Sequence, residues 1–127
     1  MDKKEKYIQE YILKTSAKVI FRRISTASGL MEWFADNVFR DGDVFTFKWD
    51  GSTEKAMLLS YQHMVYARFR WIDDEDKDAF FEFKLAEDGL TNDLTLIITD
   101  FEYSNEIEEA KKIWDASVGE LKHNLGI

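Results

Sequence analysis

The sequence predicts an α+β domain: one strand, two short helices, about six further strands in a curved antiparallel sheet, and a long C-terminal helix across it. Three observations predict this. From residue 38 to residue 101 apolar residues recur at every second position between turn signals, and three- and four-residue spacing takes over in the C-terminal segment. The chain has 127 residues, 45% of them apolar and 33% charged, with no proline and no cysteine, which is the size and balance of one core. Residues 1–127 therefore read as a single domain, long enough to bury roughly two-thirds of the surface an unfolded chain exposes.

Taken in order, Glu5 to Lys14 carry Tyr and Ile at strand-compatible positions, and Thr15 or Ser16 offers a cap for a helix over Ala17 to Ile24. Ser25, Thr26 and Ser28 interrupt that helix and can cap a second, in which Leu30, Trp33 and Phe34 share one face. Turn signals follow at Asp41-Gly42-Asp43, Asp50-Gly51-Ser52, Asp73 to Asp78 and Glu87-Asp88-Gly89. Between them Phe45, Phe47 and Trp49 alternate with Thr46 and Lys48, and Val65, Ala67, Phe69 and Trp71 with Tyr66, Arg68 and Arg70. Phe81, Phe83 and Leu85 alternate with Glu82 and Lys84, and Leu94, Leu96 and Ile98 with Thr95 and Thr99. Such alternation describes a sheet with one dry face. After Ser104-Asn105, with Glu108 placed to complete a capping pair with Asn105, a helix runs to about Asn124 before Gly126. Ile107, Ala110, Trp114, Ser117, Leu121 and Leu125 form its inner stripe, ~28 Å long, enough to cross the sheet and cover it.

Composition narrows the function. The absence of cysteine removes disulfides, thiolate-held metals and thiol nucleophiles, and fits a reducing compartment. The opening Met-Asp-Lys-Lys-Glu-Lys with no apolar stretch after it predicts a cytoplasmic protein. Apolar runs such as Leu94 to Ile98 are far below the ~20 residues of a membrane span. A net charge of -8 opposes a sequence-independent grip on nucleic acid. The charge is uneven: seven Lys and Arg against three acids leave +4 on the first 25 residues, so the other 102 carry -12. That asymmetry suits an acidic partner or an anionic head group, and equally a sheet edge studded with ordinary lysines.

With this order of elements the chain resembles the helix-grip proteins, the START-like or SRPBCC superfamily. That superfamily includes the birch-pollen allergen, polyketide cyclases and homologues of the heat-shock chaperone ATPase activator, to which this chain is nearest in look. The segment Phe21-Arg22-Arg23-Ile24-Ser25-Thr26-Ala27-Ser28-Gly29-Leu30-Met31-Glu32-Trp33-Phe34-Ala35-Asp36 resembles the family's run from first helix through second helix to a Trp-Phe pair. The Phe69-Arg70-Trp71 strand, the Leu94 to Phe101 strand and the terminal helix with Trp114 are similar too. The activator homologues commonly carry proline where Ala27-Ser28 stand, and the allergen branch has a glycine-rich loop that Asp50 to Lys55 does not reproduce. The resemblance implies seven strands gripping the C-terminal helix, with a cavity that in many relatives holds a lipid, a polyketide or another apolar small molecule.

Aromatics make up 15% of the chain, and Trp33, Phe34, Phe45, Phe47, Trp49, Phe69, Trp71, Phe81, Phe83 and Trp114 converge on the gap between sheet and helix, beside Leu121. They either fill a solid core or line a pocket, and both readings stay open. Tyr61, His63 and Arg68 could orient a ligand's polar end if they face inward. His63 and His123, sixty residues apart and without flanking carboxylates at ligand spacing, do not make a metal site, and no cofactor is expected. The acidic run Asp73-Asp74-Glu75-Asp76-Lys77-Asp78 lacks the glycine and terminal glutamate of a calcium loop and reads as a solvated hairpin turn.

The leading expectation is non-catalytic binding of an apolar small molecule or lipid between sheet and terminal helix. A protein-interaction module with a filled core, chaperone-activator-like or dimerising, is the alternative. Cyclase or hydrolase chemistry is a third reading and would need an inward acid or base among Tyr61, His63, Glu82 and Asp100. No nucleophile elbow or phosphate-binding glycine loop supports it.

Overall fold

The computed structural model describes residues 3–127, so Met1 and Asp2 of the charged opening lie outside the described residues. Strand β1 (Glu5–Leu13) leads into helices α1 (Ala17–Ser25) and α2 (Ala27–Leu30). Then come β2 (Asn37–Asp41), β3 (Val44–Trp49), β4 (Ser52–Gln62), β5 (Tyr66–Trp71), β6 (Phe81–Glu87), β7 (Leu94–Glu102) and the terminal helix α3 (Ile107–Leu125). The strands form one antiparallel sheet in the order β1-β7-β6-β5-β4-β3-β2, so the first strand closes beside the last, from Glu5 opposite Glu102 to Leu13 opposite Leu94. No described helix is long and apolar enough to cross a membrane.

The predicted alternation decides which side of the sheet is dry. Phe45 and Phe47, Ala67 and Phe69, Phe81 and Phe83, and Leu94, Leu96 and Ile98 are all buried on the concave face. They meet Leu30, Trp33, Trp114, Val118 and Leu121 from the helices in one core. On the convex face Arg68 pairs with Glu82 at 2.7 Å, and the Arg68 guanidinium lies 4.1 Å from the centre of the Phe80 ring.

Local signals set the helix starts. The Ser16 hydroxyl accepts a hydrogen bond from Val19 N and caps α1; the Thr26 hydroxyl accepts from Gly29 N and caps α2. α2 is shorter than the spacing of Leu30, Trp33 and Phe34 predicts. It stops at Leu30, and Trp33 and Phe34 follow in turns whose amides return to the Leu30 carbonyl. Gly29 explains the close elbow, since a Cβ there would stand 2.0 Å from the Arg22 carbonyl oxygen and 2.6 Å from Arg23 Cα.

Four further expectations are corrected. The Asn105–Glu108 capping pair does not form: Ser104–Glu106 make a 3-10 turn in which Glu106 N donates to Tyr103 O at 2.8 Å, and α3 begins at Ile107 without a side-chain cap. Within α3 the fully buried stripe is Trp114, Val118 and Leu121, with Ser117 only half-buried, because the helix presents the 118 side more squarely to the sheet. The β4–β5 turn escaped the glycine and aspartate signals, since it is made by Gln62 to Val65 with Met64 itself in the left-handed region (φ 66°). The acidic run is not uniformly solvated, as the Asp74 carboxylate is buried against Lys4 Nζ at 3.0 Å, and Arg70 donates to the carbonyls of Asp74, Asp76 and Ala79.

Gly29→Ala is expected to destabilise the protein by about 2 to 3 kcal/mol, because the new methyl meets backbone that cannot yield cheaply. Urea unfolding at neutral pH checks this; a loss under about 0.5 kcal/mol would mean that α1 and α2 are free to separate.

Candidate functional site

Most of the predicted ring set comes together. Phe34 is the hub: its ring lies 5.0 Å from Phe47, 5.7 Å from Trp49, 6.4 Å from Trp71, 5.9 Å from Phe81 and Phe83, and 5.7 Å from Trp114. Trp33 packs on Phe83 at 5.4 Å, Phe45 on Phe69 at 5.2 Å, and Phe69 stacks on Phe81 at 5.1 Å. Edge-to-face and offset geometries at these spacings are those aromatic quadrupoles favour. The rings are therefore in contact, and Leu121 seals the cluster from the helix side. Phe34, Trp49 and Trp71 are only part-buried, at the rim of the cluster.

That rim borders a cleft of about 510 Å³ between the segment 31–36 and α3. Its walls are Met31, Trp33, Phe34 and Trp49 on one side and Ala116, Ser117 and Glu120 on the other, with Glu32 and Asp36 at the edge. Indole hydrogen bonds hold the ring wall: Trp49 Nε1 donates to Phe34 O at 2.9 Å and Trp33 Nε1 to Arg23 O at 2.8 Å. The Asn124 side chain of α3 donates to the Glu32 carbonyl, tying the two sides together. Glu32 is neutralised by Arg22 at 2.6 Å, whereas Asp36 accepts only the Asp50 amide, at 3.1 Å, and Glu120 makes no hydrogen bond or ion pair among the described residues. Acidic side chains stand at the cleft, and Phe34 and Trp49 are the part-buried rings in its lining.

Behind the rings a second feature holds the helix. Trp114 Nε1 donates to Asp100 Oδ2 at 3.0 Å and to the Tyr7 hydroxyl oxygen at 3.1 Å, and the Tyr7 hydroxyl donates to the same Asp100 oxygen at 3.0 Å. Burial pushes the Asp100 carboxyl above the usual range, against the pull of the Phe101 amide, Trp114 and Tyr7. Burial, together with the neighbouring Asp100, also raises the Tyr7 phenol. Nearby, burial and the hydrogen bond to Asp115 push Tyr11 up to about 12.

The remaining candidates are dispersed. Tyr61 is 60% exposed, opposite Ala67 near the β4–β5 turn, at the end of β4 away from Trp49. His63 is exposed with its edge on Phe21, 5.3 Å away, and His123 is exposed in the last turn of α3. Glu82 and Arg68 pair with each other on the convex face, opposite to Asp100. Tyr61, His63, Glu82 and Asp100 thus share no common cavity. The cleft's helix wall, Ala116 and Glu120, was not legible in advance, because both positions lie outside the apolar stripe.

A family model for the START-like superfamily domain matches residues 1–127. Among solved structures the chain is similar to the solution NMR structure of BfR322 from Bacteroides fragilis. That match has 35% identity, covers 100% of this chain and 94% of that one, and gives a TM-score of 0.69. It is similar also to the Aha1 dimer from Colwellia psychrerythraea, with 14% identity, 93% of each chain covered and a TM-score of 0.78. DynU16, from the dynemicin biosynthetic locus, is similar at 16% identity over 95% of this chain and 47% of that one, with a TM-score of 0.79. The last two likenesses concern the fold alone. No curated protein matches the chain.

The raised Asp100 carboxyl has a sign that can be measured. Native protein holds this proton to higher pH than the unfolded chain, so unfolding releases it between the ordinary aspartate value of about 3.9 and the folded one. The Asp100 contribution is most favourable below that window and is lost as pH rises through it. Asp100→Asn is expected to remove this fall, so that wild type and variant converge or cross as pH increases from about 4; parallel profiles in urea unfolding across pH would show that Asp100 titrates normally.

Proposed function

The chain belongs to the START-like superfamily, and from that premise we propose that it binds an apolar small molecule without catalysis, at the cleft between the segment 31–36 and α3. The observation that carries the reading is the placement of Phe34 and Trp49 at the exposed rim of an otherwise close-packed ring cluster. The ligand rests on these rings. Trp33 flanks it, while Phe45, Phe47, Phe69, Trp71, Phe81, Phe83, Trp114 and Leu121 stand behind as the rigid wall. The volume of about 510 Å³ falls within the ~300 to 1,000 Å³ typical of small-molecule sites. Asp36 and Glu120 at the opening select against an anionic head, which favours a neutral or cationic planar compound over a fatty acid. Tyr61 stands outside this site.

A second reading, a protein-interaction role, is favoured by a different observation: the close contact of the rings leaves the core filled while apolar residues stand exposed on the convex face.

The charge preference supplies the test. N-phenyl-1-naphthylamine, neutral, and its sulfonated analogue anilinonaphthalene sulfonate share one ring skeleton. Fluorescence titration is expected to show saturable binding of the neutral probe, at least about tenfold tighter than the sulfonate, a difference of about 1.4 kcal/mol. Ala116→Trp, which fills the cleft from an exposed helix position, is expected to weaken the neutral probe by about tenfold or more without lowering the melting temperature. Absence of saturable binding, or binding indifferent to Ala116→Trp, would overturn the reading.

A further inference from the structure

We propose that the free edge of β1 is a self-pairing edge, through which two copies of this chain join antiparallel about a two-fold axis at Ile8. The two edges of the sheet are unequal. β2 spans only Asn37–Asp41 and carries Arg40 and Asp41 where its hairpin turns, the short, charged form in which exposed edges are usually kept from pairing. β1 spans Glu5–Leu13, is paired with β7 along its whole length on one side, and among the described residues has no strand on the other. Its convex side shows Ile8, 52% exposed, between Lys6 and Glu10, and Ile12, 59% exposed, beyond Glu10. This edge is long and regular, and its convex face alternates charged Lys6 and Glu10 with apolar Ile8 and Ile12, so it can template only a strand whose charges complement its own.

What identifies the second strand is the charge order. In an antiparallel pair, residues opposite each other point to the same face, so the self-registers that keep most of β1 paired, those centred on Ile8, Gln9 and Glu10, can be read directly. A register centred on Ile12 would also set Glu10 against Lys14, but it pairs only Tyr11 to Leu13 within the strand and draws on a lysine already held by Asp93. Centred on Gln9, the pairing sets Ile8 against Glu10. Centred on Glu10, it sets Glu10 against its own copy and Lys6 against Lys14. Centred on Ile8, it sets Ile8 against Ile8, each Lys6 against the other copy's Glu10, and Tyr7 against Gln9 on the concave side. This register alone among the three gives two opposite-charge pairs flanking an apolar contact. Lys6 and Glu10 are free to make it, since neither forms an ion pair or a side-chain hydrogen bond among the described residues, unlike Lys4 and Lys14, which are held by Asp74 and Asp93. The partner is thus chosen by the strand's own sequence, and the result is a single continuous sheet running through both copies.

The register can be tested by charge exchange. Sedimentation velocity of the full chain across a concentration series is expected to show a reversible monomer–dimer equilibrium. Lys6→Glu alone and Glu10→Lys alone each place two like-charge pairs across the axis, and each is expected to raise the dimer dissociation constant by about tenfold or more. The double variant K6E/E10K restores opposite pairs and is expected to return the constant to within about threefold of wild type. Ile8→Lys is expected to abolish the dimer with the thermal midpoint of the monomer preserved. A wild type that stays monomeric at the highest concentration, single variants that dimerise like wild type, or a double variant as weak as the singles would each overturn the proposal. None of these outcomes bears on the probe titration at the cleft, which lies at the other face of the molecule's helix.

Discussion

The burial of Trp114 is the constraint on which the rest of the structure rests. Its ring lies 5.7 Å from both Phe34 and Phe83 and so helps close the concave face, yet its buried N–H must find an acceptor. An unpaired donor there costs roughly 1 to 3 kcal/mol. Asp100 of β7 and Tyr7 of β1 meet the need together. One indole therefore joins the first strand, the last strand and the terminal helix, elements that lie up to 107 positions apart in the chain. The same requirement places a carboxyl in a dry setting, and the raised proton affinity of Asp100 is the direct cost of that placement.

Once the helix is pinned in this way, the space between it and the sheet is settled by ring size. Large side chains on β3, β5 and β6, Phe45 and Phe47, Phe69, Phe81 and Phe83, pack against one another, Phe83 also meets Trp114 of the helix, and Phe34 packs among them. The open volume is displaced to the margin. There α2 ends after little more than a turn and the chain crosses towards β2, leaving Phe34 and Trp49 only part-buried beside the cleft. The domain thus keeps a dense core and leaves some of its aromatic residues part-buried at its margin.

The charge asymmetry finds its place in the fold as well. The basic early segment supplies Lys4 and Lys14 to acidic turns at the two ends of β1, anchoring that strand at Asp74 and Asp93. Arg22 and Arg23 draw Glu32 down against α1 beside the cleft. Much of the local excess of cations is thus spent within the molecule, and Lys6, between the anchored residues, is left facing solvent beside Ile8.

The alternation of Phe45, Phe47 and Trp49, of Phe81 and Phe83, and of Leu94, Leu96 and Ile98 was readable in advance, because a strand's two-residue period writes its buried face into the sequence. The caps at Ser16 and Thr26 were readable for the same local reason. Val118 and the early end of α2 were not, since helical spacing tolerates a rotation of one residue and only contact with the sheet chooses among the rotations. The β4–β5 turn at Met64 carried no glycine or asparagine to mark it. Composition and periodicity determined an α+β chain with one dry sheet face, a covering helix and an aromatic core. Tertiary structure alone decided that the rings touch, that a cleft opens beside Phe34 and Trp49, and that Trp114 meets Asp100 and Tyr7. Each of these depends on distances between residues far apart in the chain, which no local pattern encodes.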